Sequence, residues 1–156
     1  MGYAKRIAAG LAAAALIAGA SPAAAQSDVE AAEKLRRLDI MLMVTALRCR
    51  FGADDFRADY EAFSARHLDT LNAAGRRLTQ ALSARHGAQG AKRALDRLMT
   101  GMANSYGMGH PTLGCGQLKQ VAHGLAYDTR SDHLVAVADQ LLGRQPNDSV
   151  FLLAQR

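Results

Sequence analysis

Leu35-Arg36-Arg37-Leu38-Asp39-Ile40-Met41-Leu42-Met43-Val44-Thr45-Ala46-Leu47-Arg48-Cys49-Arg50 is the most apolar stretch beyond the first 25 residues, and its reading decides the fold. Leu35, Leu38, Leu42 and Val44 to Leu47 recur at helical spacing, and Ile40, Met41 and Met43 widen the apolar face until it nearly encircles the helix. A helix apolar on all sides must be surrounded by neighbours, so this segment reads as the central helix. It carries one of the two cysteines. The other, Cys115, lies in the glycine-rich stretch Gly107-Met-Gly-His-Pro-Thr-Leu-Gly-Cys-Gly116.

Upstream, Lys5 and Arg6 precede an uncharged run of 14 residues from Ile7 to Ala20, followed by Ser21-Pro22 and Ala23-Ala24-Ala25. A basic start, a short apolar run and an Ala-x-Ala exit form the pattern of a secretory signal, and the run is short for a permanent span. Residues 1–25 therefore read as a signal peptide and 26–156 as one helical domain, periplasmic or secreted. That segment holds two basic residues and no acidic one, so its removal lowers the formal net charge from +5 to +3. The remaining length makes one domain that buries roughly two thirds of its extended surface. No later apolar run approaches the roughly 20 residues of a membrane span. Two cysteines in an exported chain are expected to pair, closing a loop of about 65 residues worth on the order of 3 to 4 kcal/mol; metal ligation or a reactive thiol is the alternative.

Ser27 followed by Glu30 has the form of a capping box, which starts helix one near Asp28. After Phe51-Gly52-Ala53, Asp54 or Asp55 can cap a second helix, roughly Asp55 to His86, with Phe56, Tyr60, Phe63, His67, Leu71, Ala74, Leu78 and Leu82 inward and Gly87 as its stop. A break at 87–90 leads to a third helix with Leu95, Leu98, Met102 and Tyr106 on one face, ending near Gly107. Leu118, Val121, Ala122 and Leu125 mark a fourth. Ser131 can cap a fifth, with Leu134, Val137, Ala138, Leu141 and Leu142 inward and Gly143 as its stop. Pro146 to Ser149 reads as a turn, and Val150 to Leu153 as a helical turn docked on the core or a partner-binding tail. No segment alternates with the period of a strand. The fold class is all-α, an up-and-down bundle of four to five helices pinned by one disulfide.

Candidate sites are few. Gly107, Gly109, Gly114 and Gly116 do not match a dinucleotide fingerprint in spacing, and no strand precedes them, so they read as a loop that lets Cys115 reach Cys49. Met99, Met102, Met108 and His110 form a thioether and imidazole set suited to Cu(I), although Met99 and Met102 also belong to the packing stripe. His67 lies on the apolar face of helix two, where a satisfied core histidine and a general base with Tyr60 nearby are both consistent with its position. No His-x3-His or Cys-x2-Cys pair is present. Of the glutamates after the signal, Glu30 and Glu33 belong to an exposed first turn and Glu61 faces the polar side near Arg57. No Gly-x-Ser-x-Gly elbow occurs. The arginines interleave with acids as a solvated face, and a net +3 with few aromatics argues against nucleic acid.

The segments Leu38 to Arg50, Asp55 to Tyr60, Leu71 to Ala74 and Met102 to Cys115 resemble a family of small exported helical proteins of Gram-negative bacteria, over most of the chain after the signal. The resemblance implies export and the pairing of Cys49 with Cys115, and brings across no catalytic residue.

These readings converge on a binding or interaction module of the cell envelope that needs no cofactor and takes an envelope protein or a small ligand as partner. The alternative is an envelope enzyme or copper-binding protein working from the loop 107–116. For it, His67, Asn104, Tyr106 and His110 are the candidate pocket residues.

Overall fold

The computed structural model describes residues 22–143, as five helices: α1 (Pro22–Arg48), α2 (Arg57–Arg66), α3 (Leu68–Ser105), α4 (Cys115–Tyr127) and α5 (Ser131–Leu142). No strand occurs among the described residues. Most of the expected signal segment, the turn at 146–149 and the segment 150–153 lie outside them.

The central position of α1 follows from its sequence. Ala32, Leu35, Leu38, Leu42, Ala46 and Cys49 form one buried stripe, and Asp39, Ile40, Met41 and Thr45 are buried beside it. Helices α2, α3, α4 and α5 all pack against α1. Thr45 is tolerated in this core because its hydroxyl donates to the Met41 carbonyl at 2.6 Å within its own helix. The apolar ring is nevertheless open on one side: Met43 and Leu47, one turn apart, are 36% and 51% exposed. The start of α1 also differs from the expected capping box. The described residues are already helical from Pro22, upstream of Ser27, and the alanines there are strong helix formers. Ser27 thus lies inside the helix, and its hydroxyl donates to the Ala24 carbonyl.

The long second helix of the sequence reading is interrupted at His67, where φ −106° and ψ 17° leave the helical region between α2 and α3. The inward register survives this kink: Phe56, Phe63, His67, Leu71, Ala74, Leu78 and Leu82 are all buried. Asp55 caps α2 from just outside, its carboxylate accepting the Arg57 amide at 3.1 Å. Ser131, by contrast, is the first residue of α5 and not its cap. The Asp128 carboxylate accepts the Arg130 amide just before that helix.

A second interruption changes the topology. Gly87, with φ 67° and ψ 171°, breaks α3 into limbs 68–86 and 88–105. Leu71 and Leu95 line one hollow, whereas 24 residues of unbroken helix would separate them by about 36 Å. The limbs therefore fold back on one another as an antiparallel hairpin, as the expected break at 87–90 requires. Close approach is set at Gly90, where an added Cβ would lie 2.8 Å from the His86 Cβ. The positive φ at Gly87 is unfavourable for any L side chain, so Gly87→Ala is expected to lower stability by about 1 kcal/mol in a denaturation series.

Candidate functional site

Cys49, one residue beyond α1, and Cys115, the first residue of α4, are joined by a disulfide, with Cα atoms 5.8 Å apart. Further contacts stitch the same junction. Lys119 donates to the Ala53 carbonyl at 3.1 Å, and Gly116 lies so close to the Asp54 carboxylate that an added Cβ would approach it to 3.2 Å. A carboxylate at the first turn of α4 also suits the positive end of that helix.

Tyr106 and His110 stack with ring centroids 6.3 Å apart. Both nitrogens of His110 are engaged: Nε2–H donates to the Leu141 carbonyl at 2.9 Å, while Nδ1 accepts the amides of Thr112 at 3.2 Å and Leu113 at 3.1 Å. That pattern fixes the tautomer and ties the loop to the last turn of α5. His110→Ala removes all three bonds and is expected to destabilise by about 2 kcal/mol, read by thermal or denaturant unfolding.

His67, 4% exposed, makes an equivalent tie elsewhere. Its Nε2–H donates to the Leu125 carbonyl in the last turn of α4 at 2.9 Å, and its ring packs against Phe63. Asn104 is exposed near the end of α3. Of the four residues expected to share a pocket, the structure thus stacks Tyr106 on His110, places Asn104 on the surface and commits His67 to α4. Met102 is buried, Met99 half-buried and Met108 84% exposed. Among the described residues no group of three or more His, Cys, Asp and Glu side chains is arranged to hold a metal ion. Glu61 is exposed, and Arg57 pairs with Asp55 at 2.7 Å.

The buried polar centre lies instead on α1. Asp39, 7% exposed, accepts from Arg36 at 2.8 Å and from the Tyr60 hydroxyl at 3.1 Å. Burial pushes the Asp39 carboxyl above its ordinary range, against the opposing pull of Arg36 and of the Tyr60 hydrogen bond. Burial, followed by the Asp39 charge, pushes the Tyr60 hydroxyl up to about 12. The signal for this centre was an acid set between Leu38 and Ile40 in the most apolar stretch.

Beside it opens a hollow of about 440 Å³ between α1 and the two limbs of α3. Leu71, Leu95 and Met99 form its apolar wall, Arg36 and Arg76 bring guanidinium groups, and Asn72, Thr79 and Gln80 are neutral and polar; no carboxylate lines it. A second hollow of similar size, lined by Ala31, Ala32, Leu35, Ala73 and the paired Asp28 and Arg77, lies alongside and shares Arg76 and Gln80 with the first. Thr79 directs its hydroxyl to its own helix, onto the Gly75 carbonyl. Sequence reasoning placed Arg36 and Arg76 on a solvated face, because their convergence depends on the packing of α1 against the first limb of α3, and the apolar wall beside them on the fold-back at Gly87.

The fold and its junction define a disulfide-pinned all-helical bundle. Comparison of the chain with known protein families, curated proteins and solved structures finds no match.

Proposed function

We propose that this chain is an exported binding module of the cell envelope, periplasmic or secreted, which holds a small ligand in the hollow between α1 and the limbs of α3. The hollow carries this reading: its volume falls in the range of small-molecule sites, and an apolar wall there meets a few convergent polar groups. The helices around it, α1 and the limbs of α3, are packed together, which suits a preformed site. Export is supported by the basic, apolar and Ala-x-Ala order of residues 1–25 and by a disulfide of the kind that persists in oxidising compartments. Among the described residues no helix is long and apolar enough to cross a membrane.

The test is in two parts on protein isolated from the periplasm. Intact mass should begin at Gln26, two hydrogens below the reduced chain, with no thiol alkylated in the unfolded protein until it is reduced. An intact signal segment or free thiols would remove the export reading. Thermal unfolding against a panel of small envelope compounds should then show concentration-dependent stabilisation, since a ligand at 100 times its Kd adds about 2.7 kcal/mol. A panel without any such shift would remove the binding reading.

A further inference from the structure

We propose that the hollow takes a small amphiphilic carboxylate, an acid group on a short acyl chain, with its head on Arg76 and its chain along Leu71, Leu95 and Met99. This assignment rests on the reading of the hollow as a binding site and names the ligand class. Charge carries it first. Two guanidinium groups and no acid line the cavity, so a neutral or cationic head would meet uncompensated positive charge there. The two arginines are not equivalent. Arg36 gives one nitrogen to Asp39, which balances its charge and holds it at the wall. Arg76 has no hydrogen-bond or ion-pair partner among the described residues, while the neighbouring Arg77 is paired with Asp28. The unbalanced guanidinium is therefore the one that two hollows share, and its planar fork matches a carboxylate with two parallel hydrogen bonds.

The wall supplies the other half of the chemistry. Leu71 and Met99 come from opposite limbs of α3 and, with Leu95, form an apolar surface that a bare inorganic anion would leave unused. Methionine, unbranched and polarisable, adapts to a flexible chain. An acyl carboxylate satisfies head and wall together.

The probe is sodium decanoate, kept below its micelle-forming concentration and titrated into the oxidised protein while backbone amide NMR shifts are followed. Saturable shifts should concentrate at residues 71–80 and 95–99. Arg76→Gln should weaken binding about tenfold or more, as expected for loss of a charge-assisted pair, and leave the melting temperature unchanged because Arg76 is exposed. Thr79→Glu, an exposed change that adds an acid to the wall, should weaken it comparably. Decanol and decyltrimethylammonium should bind more weakly than decanoate, and acetate or inorganic phosphate should not saturate. Equal binding of decanol or of the cationic amphiphile would overturn the assignment, as would decanoate shifts confined to Leu47, Phe51 and Met108. If decanoate fails but another compound shifts the same amides, the acid assignment falls and the binding module stands. If nothing in a chemically diverse panel shifts them, both fall.

Discussion

The double substitution Cys49→Ala and Cys115→Ala lowers stability by on the order of 3 to 4 kcal/mol, with a drop in melting temperature of about 10 °C or more. The bond spans 66 positions in sequence, so in the chain-entropy account most of the effect arises in the unfolded state, which the crosslink keeps compact. Reduction of the native protein should give a similar loss. Denaturant titration of the oxidised and reduced forms checks this, and a difference below about 1 kcal/mol would mean that Lys119, Asp54 and the surrounding packing hold the junction without the bond.

The second large effect belongs to Asp39. Asp39→Ala leaves the Arg36 guanidinium and the Tyr60 hydroxyl without their shared acceptor and is expected to cost about 2 to 3 kcal/mol, below the full figure for a buried ion pair because Arg36 is partly exposed. Asp39→Asn keeps an acceptor and should cost about 1 kcal/mol. The two variants also separate opposing pH effects. Burial raises the Asp39 carboxyl in the folded state, so the fold binds that proton more readily than the unfolded chain, and Asp39 adds stability as pH falls through its raised value towards 3.8. Asp55 acts oppositely. Hydrogen bonds from the Arg57 side chain and amide lower it from 3.8 to about 2, so its contribution is present above 3.8 and lost as pH falls from there towards 2. Asp128, lowered first by the Arg130 amide, acts in the same sense. Wild-type protein should therefore gain on Asp39→Asn as pH falls towards 3.8, and both should lose stability below it. A pH-independent gap between them would contradict the burial argument.

The register of the helices was readable wherever a repeating face decided it. Phe56, Phe63, Leu71, Ala74, Leu78 and Leu82 are buried at the spacing that marks them in the chain, as are Leu118, Ala122, Leu125, Leu134 and Ala138. The Cys49 to Cys115 pairing was readable from cysteine number and context. What escaped depends on neighbours that periodicity does not specify. Leu47, Phe51 and Met108 are apolar and exposed, because spacing says which way a side chain points but not whether anything covers it. The His67 kink carries no glycine or proline to announce it. The Asp39 centre and the hollow likewise arise from tertiary approach, the first of α2 to α1 and the second of one α3 limb to the other.

The two histidine ties bear on how the molecule folds. Helices α4 and α5 have 13 and 12 residues, lengths at which an isolated helix is marginal in water. One carbonyl in the last turn of each, Leu125 and Leu141, accepts from His67 and His110, which lie 58 and 31 positions away along the chain. The Asp128 amide also closes the end of α4 locally, at the Gly124 and Leu125 carbonyls, but the imidazole ties fasten the last turn of each helix to a distant segment. The bundle should therefore assemble and unravel as one cooperative unit, and peptides cut to the bounds of α4 or α5 should be largely unstructured on their own.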